Sequence, residues 1–141
     1  MSQLIVYSAS CVAIGNHALV IEGQSGIGKS TLALQLIDRG AMLVGDDGVT
    51  LEQQGNRLMA SPPPNTAGLL EIRNVGIVEL PTVSVPAALV IRLTKDAPRY
   101  VDQADTCEIG GCAIPLIFFD PTIAAAPVRA EYALQRYGLL S

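Results

Sequence analysis

An α/β domain with a mixed central sheet is predicted by three features of the chain. Short apolar runs alternate with turn residues along most of its length. One of these runs, Ala18-Leu19-Val20-Ile21, feeds a glycine-rich loop that opens a helix. The last segment, from Pro121 to Gly138, reads as a second helix with Pro127 in its first turn, where a missing N–H costs least. A chain of 141 residues fits one domain, taken here over residues 1–141.

The elements follow in order. Leu4–Tyr7 and Cys11–Ile14 are strand material, read as one strand with an irregularity around Ser8 to Ser10. Gly15-Asn16 is a turn that pairs Cys11–Ile14 with Ala18–Ile21 as a hairpin. A helix runs from about Lys29 to Arg39, with Leu32, Leu36 and Leu34-Ile37 on its apolar face and Gly40 as its stop. Met42–Gly45 is a short buried strand ending in Asp46-Asp47-Gly48. Val49–Gln53 and Arg57–Ala60 form a second hairpin, and the proline-rich 61–66 stretch is a surface loop. Leu69–Asn74 and Val75–Leu80 are strands broken at Asn74 to Gly76. Ala87–Leu93 is a central apolar strand, Thr94–Thr106 a loop, and Glu108–Phe119 a strand region interrupted by Gly110-Gly111 and Pro115.

Composition narrows the function. Half of the residues are hydrophobic but only 4% are aromatic, so the core is aliphatic and the chain is not disordered. The net charge is −4 and no Lys/Arg cluster appears, which disfavours a nucleic-acid partner. No apolar run is long enough to span a bilayer, and the N-terminus lacks the basic start of a signal peptide, so no membrane association and a cytoplasmic location are expected. Three cysteines (11, 107 and 112) and one histidine match no common zinc spacing.

The chemistry centres on Gly23-Gln24-Ser25-Gly26-Ile27-Gly28-Lys29-Ser30, which fits the phosphate-loop pattern G-x-x-x-x-G-K-[ST] at every fixed position, in a P-loop NTPase-like strand–loop–helix context. Glycines let several backbone N–H groups point at one anion, and the helix N-terminus adds roughly half a positive charge. Lys29 is placed to reach the β- and γ-phosphates, and the Ser30 hydroxyl to ligate Mg²⁺. Asp46 and Asp47 follow Lys29 by 17 and 18 residues, room for one helix and one returning strand. A parallel βαβ return sets them beside the phosphates, where one can hold Mg²⁺ and the other accept a hydroxyl proton. Asp-Asp-Gly is also ordinary turn chemistry; the adjacent phosphate loop favours the functional reading. Glu71 and Arg73 share a strand face, either as a solvent-facing ion pair or as a metal ligand beside a phosphate-contacting arginine. His17, at a hairpin turn, is read as structural rather than catalytic.

Four stretches together resemble the catalytic domain of HPr kinase/phosphorylase: the loop 23–30, Ile37 to Asp47, Leu70-Glu71-Ile72-Arg73-Asn74-Val75-Gly76-Ile77, and the region around Arg99. The third is similar to the family signature L-E-I-R-G-x-G-I and is the most specific. The chain looks like a short form without the N-terminal domain of longer members. The resemblance implies a serine protein kinase that uses ATP and Mg²⁺ and acts on HPr or an HPr-like phosphocarrier protein, assembling as a homo-oligomer, a hexamer in the family. By position, Gly23 to Ser30 and the adjoining Thr31 would bind ATP; Ser30, Glu71 and Asp46 would serve the metal. Asp47 would be the proton acceptor, Lys29 would act on the transferring phosphate, and Arg99 would match an arginine of the family.

Three departures from the family stand out. Its histidine 21 residues before the loop lysine is Ser8 here; its signature glycine is Asn74, a residue that tolerates positive φ better than most. Its late arginine- and glycine-rich stretch is replaced by Leu116-Ile117-Phe118-Phe119-Asp120, so the kinase direction is favoured over the reverse. Two rival readings share the loop: a P-loop kinase of a small molecule or another protein, and a regulatory nucleotide-binding module without efficient transfer.

Overall fold

The computed structural model describes residues 4–140. Its first three strands are β1 (Leu4–Tyr7), β2 (Ser10–Ile14) and β3 (His17–Glu22). Ile14 pairs with His17, so β2 and β3 join through a two-residue turn in which Gly15 takes φ +62°. The loop then leads into α1 (Lys29–Asp38), which buries Leu32, Ala33 and Leu36 against the sheet. Each of the two leucines gains about 1.5–3 kcal/mol from full burial. Arg39 and Gly40 donate their amides to the Leu36 and Ile37 carbonyls, and Gly40 at φ +111° ends the helix as expected.

β4 (Met42–Gly45) and the hairpin of β5 (Val49–Gln54) with β6 (Arg57–Ser61) come next. β7 (Leu69–Ile72) and β8 (Gly76–Glu79) form a separate two-stranded hairpin that packs on α1. The remaining elements are β9 (Val85–Leu93), β10 (Asp105–Ile109), β11 (Cys112–Phe119) and α2 (Ala126–Tyr137).

The sheet is mixed, with the order β1-β5-β6-β9-β3-β2-β4. β9 is central, parallel to β3, and its other edge is shared: Val85–Pro86 meet β6, while Val90–Leu93 run parallel to β11. That split lets the sheet curl. Alternate residues of the inner strands feed two cores. Leu19, Ile21, Leu89 and Ile91 face α1 and α2, whereas Ala18, Val20 and Val90 face the curled side built by Leu51, Leu58 and Ile114. Burial on both faces explains the nearly continuous apolar runs of β3 and β9.

Several sequence expectations are corrected. Residues 4–14 are two strands, not one irregular strand: β1 leaves β2 to pair antiparallel with β5 at the sheet edge. The 94–106 loop ends two residues early, at the start of β10, and the Glu108–Phe119 region belongs to a hairpin of β10 and β11 turning at Gly110-Gly111. Pro115 does not break β11; it lies just before β9 pairing begins, where one flank of the strand is open and its missing N–H is tolerated. The second helix starts at Ala126 rather than Pro121. Asp120 accepts the Thr122 amide and hydroxyl, and Arg129 donates to the carbonyls of Asp120, Ile123 and Ala124, holding 120–125 as a non-helical lead-in. Pro127 does fall in the first turn. In the 61–66 loop Pro63 is buried rather than at the surface.

Candidate functional site

The loop between β3 and α1 carries the backbone its glycines allow. Gly23, Gly26 and Gly28 have φ of +155°, +84° and +114°, values that side-chain-bearing residues rarely adopt. At Gly23 space is short as well, since a Cβ would sit 2.9 Å from Ile27 Cγ2 and 3.2 Å from Leu93 Cβ. Lys29 folds its ammonium back over the loop, donating to the carbonyl oxygens of Gly23 at 2.9 Å and Gln24 at 3.2 Å. The first intrahelical bond of α1 runs from the Leu32 amide to the Gly28 carbonyl at 3.0 Å. No side chain caps this end and no acid lies in its first turn, so the amides of Lys29, Ser30 and Thr31 lack intrahelical acceptors and can meet an anion.

The aspartate pair reaches the loop by a route the spacing did not reveal. β4 is not the parallel neighbour of β3; β2 lies between them, antiparallel to both. Two antiparallel steps restore the direction, so β4 still ends on the same side as β3. There the Ser30 hydroxyl donates to Asp46 Oδ1 at 2.7 Å. Ser10, fully buried at the start of β2, donates to the same oxygen at 3.0 Å, and its hydroxyl lies 3.5 Å from the Asp47 amide. Sequence reasoning missed Ser10; its one signal was a hydroxyl opening a run of buried residues.

The turn after β4 is tight. A Cβ on Gly45 would come within 2.0 Å of the Gly48 carbonyl oxygen, and Pro63 packs against both glycines. Asp47 takes φ +60°, a left-handed conformation that costs a non-glycine residue roughly 1–2 kcal/mol and leaves its carboxylate exposed beside the buried frame.

A third constellation roots the loop. Glu22, buried directly before Gly23, accepts hydrogen bonds from Tyr7 Oη and Arg92 Nε, two residues from β1 and β9. Burial, reinforced by the Glu22 hydrogen bond, raises the Tyr7 phenol well above its ordinary range. The same carboxylate raises Arg92 further, and Cys107 is pushed up by burial first and by Glu22 second. The guanidinium of Arg92 also lies 5.7 Å from the Phe118 ring centroid.

Other candidates are more dispersed. Glu71 is exposed on β7, and Arg73 lies in the following turn rather than on the same strand face. Asn74 takes φ +69°, so the position does require positive φ and asparagine supplies it. Arg99 is exposed, its guanidinium 5.6 Å from the Tyr100 ring centroid. Ser8 is exposed in the bend between β1 and β2. His17 begins β3, roughly 16 Å of strand from the loop, and lines a separate groove with Arg39 and Glu131. Among the described residues no three His, Cys, Asp or Glu side chains cluster as a metal-binding group, so Ser30 and Asp46 are the hard-oxygen pair the geometry assembles. A hydroxyl and a carboxylate beside a phosphate loop suit Mg²⁺. No helix among the described residues is long and apolar enough to cross a membrane.

The family model of the HPr Serine kinase C-terminal domain matches residues 1–89. The HPr kinase/phosphorylase of an Exiguobacterium species is 47% identical over 152 aligned positions, covering 91% of this chain and 48% of that protein. The HPr kinase/phosphorylase of Clostridium beijerinckii is 37% identical over 103 positions, covering 70% of this chain and 34% of that protein. The solved structure of the HPr(Ser) kinase/phosphatase from Coxiella burnetii superposes with a TM-score of 0.82 at 31% identity, covering 93% of this chain and 88% of that one. The chain spans from about a fifth to about half of the length of the curated relatives it matches.

Proposed function

The chain belongs to the HPr serine kinase C-terminal domain family, and we propose that it transfers the γ-phosphoryl group of ATP to a serine of an HPr-like phosphocarrier protein. The observation that carries this reading is the Ser30–Asp46 hydrogen bond, because it joins the phosphate loop to the aspartate turn at one point.

The loop amides of Gly23 to Thr31 cradle the triphosphate, and the Lys29 ammonium, now on the loop carbonyls, moves onto the β- and γ-phosphate oxygens. Ser30 and Asp46 would hold Mg²⁺, and Glu71, on the hairpin packed against α1, would be the further carboxylate for the metal. The metal supplies charge neutralisation to the phosphate oxygens when bound. Asp47 accepts the proton of the attacking serine hydroxyl as its oxygen bonds to the γ-phosphorus and ADP leaves. Its exposed position suits an acceptor presented by another protein rather than an enclosed metabolite. Arg99, exposed beyond the end of β9, would offer a positive charge to the transferring group.

The forward direction is the one these residues support. The family's late Arg/Gly-rich stretch corresponds here to Leu116–Phe119, whose pairing with β9 makes it sheet interior rather than a free cationic loop. One domain over residues 1–141, a homo-oligomer of the family's hexameric kind and a cytoplasmic location complete the proposal. Incubation with Mg-ATP and the HPr-like carriers of the same organism tests it: phosphoserine on one carrier supports the reading, and none on any carrier refutes the substrate.

A further inference from the structure

The last rung of the parallel β3–β9 ladder pairs Glu22 with Arg92, and the phosphate loop leaves the sheet at the next residue. Glu22 keeps only 7% of its surface in solvent, so a carboxylate is buried at the root of a loop built for anions. Both of its oxygens are used. Oε2 accepts from Tyr7 Oη, and Oε1 accepts from Arg92 Nε. Tyr7 comes from β1, at the far end of the strand order, so the curl of the sheet ties three strands together at one carboxylate.

Such a clamp is a poor source of stability. Burying a charge costs free energy that its partners at best return, and an apolar side chain of similar volume often serves as well or better. What two directed hydrogen bonds add is a fixed position. That position is passed on through the backbone. Gly23 has little room to shift, since a Cβ there would meet Ile27 Cγ2 at 2.9 Å and the Cβ of Leu93, the neighbour of Arg92, at 3.2 Å. The Gly23 carbonyl in turn accepts from Lys29 Nζ at 2.9 Å. Glu22 and Lys29 are therefore linked through a single residue. The far end of the loop has its own anchor in the Ser30–Asp46 bond, and this rung anchors the near end.

We propose that Glu22 is a positioning residue for phosphoryl transfer: clamped by Tyr7 and Arg92, it fixes the Gly23 carbonyl, which holds the Lys29 ammonium over the loop ready for the phosphates. A lysine already held there has less side-chain freedom to lose when the nucleotide arrives. Glu22 acts through Gly23 and Lys29. The inference rests on the reading of the loop as an ATP cradle.

Titration calorimetry with Mg-ATP, run as a double-mutant cycle, tests this. Glu22→Leu nearly keeps the side-chain volume and removes the clamp, whereas Tyr7→Phe removes one of its two bonds. Each is made in the wild type and together with Lys29→Ala, and thermal unfolding is recorded for every protein. Glu22→Leu is expected to weaken Mg-ATP roughly tenfold at a thermal midpoint near that of the wild type, and Tyr7→Phe by a smaller factor; neither weakens it further once Lys29 is gone. Glu22→Gln, whose amide can still accept from Arg92 and donate to the Tyr7 hydroxyl, restores most of the affinity. Unchanged or tighter binding by Glu22→Leu and Tyr7→Phe overturns the role. Equal losses with and without Lys29 overturn it too, and make the clamp merely structural. If Glu22→Leu does not fold, Tyr7→Phe decides by the same comparison. Failure of the loop reading looks different: Lys29→Ala alone would then bind Mg-ATP as the wild type does, and the inference falls with it.

Discussion

The Ser30 hydroxyl donates to the Asp46 carboxylate at 2.7 Å, joining residues from α1 and the end of β4 across an intervening strand. Both oxygens are proposed ligands of Mg²⁺. Ser30→Ala is expected to raise the Mg²⁺ concentration needed for half-maximal transfer by at least about tenfold while the thermal midpoint stays near that of the wild type. A magnesium titration of the transfer rate checks this.

Ser10 is fully buried and donates to Asp46. Its removal in Ser10→Ala frees the carboxylate to rotate, and loss of this buried hydrogen bond costs about 1 kcal/mol of stability. A roughly tenfold weakening of apparent Mg²⁺ affinity, larger than any change in KM for ATP, is expected. An effect confined to the unfolding midpoint would make Ser10 merely structural.

The aspartate turn has no room for a side chain at its first residue. Gly45→Ala places a methyl group against the Gly48 carbonyl, so the turn must open and Asp46 and Asp47 must move. A loss of about 3 kcal/mol in urea denaturation is expected, together with loss of transfer.

Tyr7 gives a pH signature. Its folded-state pKa lies above the unfolded value of about 10, so the folded protein holds this proton to higher pH. The resulting stability is fully present below pH 10 and is lost as the pH rises beyond it. In Tyr7→Phe the fall in stability above pH 10 should be shallower than in the wild type, as read from urea midpoints across that range.

Much of the site was legible because its signals are local. The loop glycines, the start of α1 at Lys29, the Gly40 stop and the short strand before Asp46 each depend on a few neighbouring residues. What was hidden depends on distant pairing. Nothing in residues 10–14 says that β2 will lie between β3 and β4, nor that β1 will pair with β5. Glu22, Tyr7 and Arg92 meet only because three strands align at the root of the loop, with Glu22 and Arg92 70 positions apart. The true start of α2 was obscured because Arg129, inside the helix, fixes the residues before it through their carbonyl oxygens.

The most direct measurement is phosphate transfer from γ-labelled ATP with Mg²⁺ to HPr by the wild type and by Asp47→Asn, with ATP affinity measured for both. Asparagine tolerates the left-handed φ of this position, so the turn should survive while the proton acceptor is lost. The account predicts labelled phosphoserine with the wild type and a fall of roughly 100-fold or more with Asp47→Asn at unchanged ATP affinity. Equal transfer rates for the two proteins would contradict the role of Asp47, and no serine labelling by the wild type would contradict the kinase assignment itself.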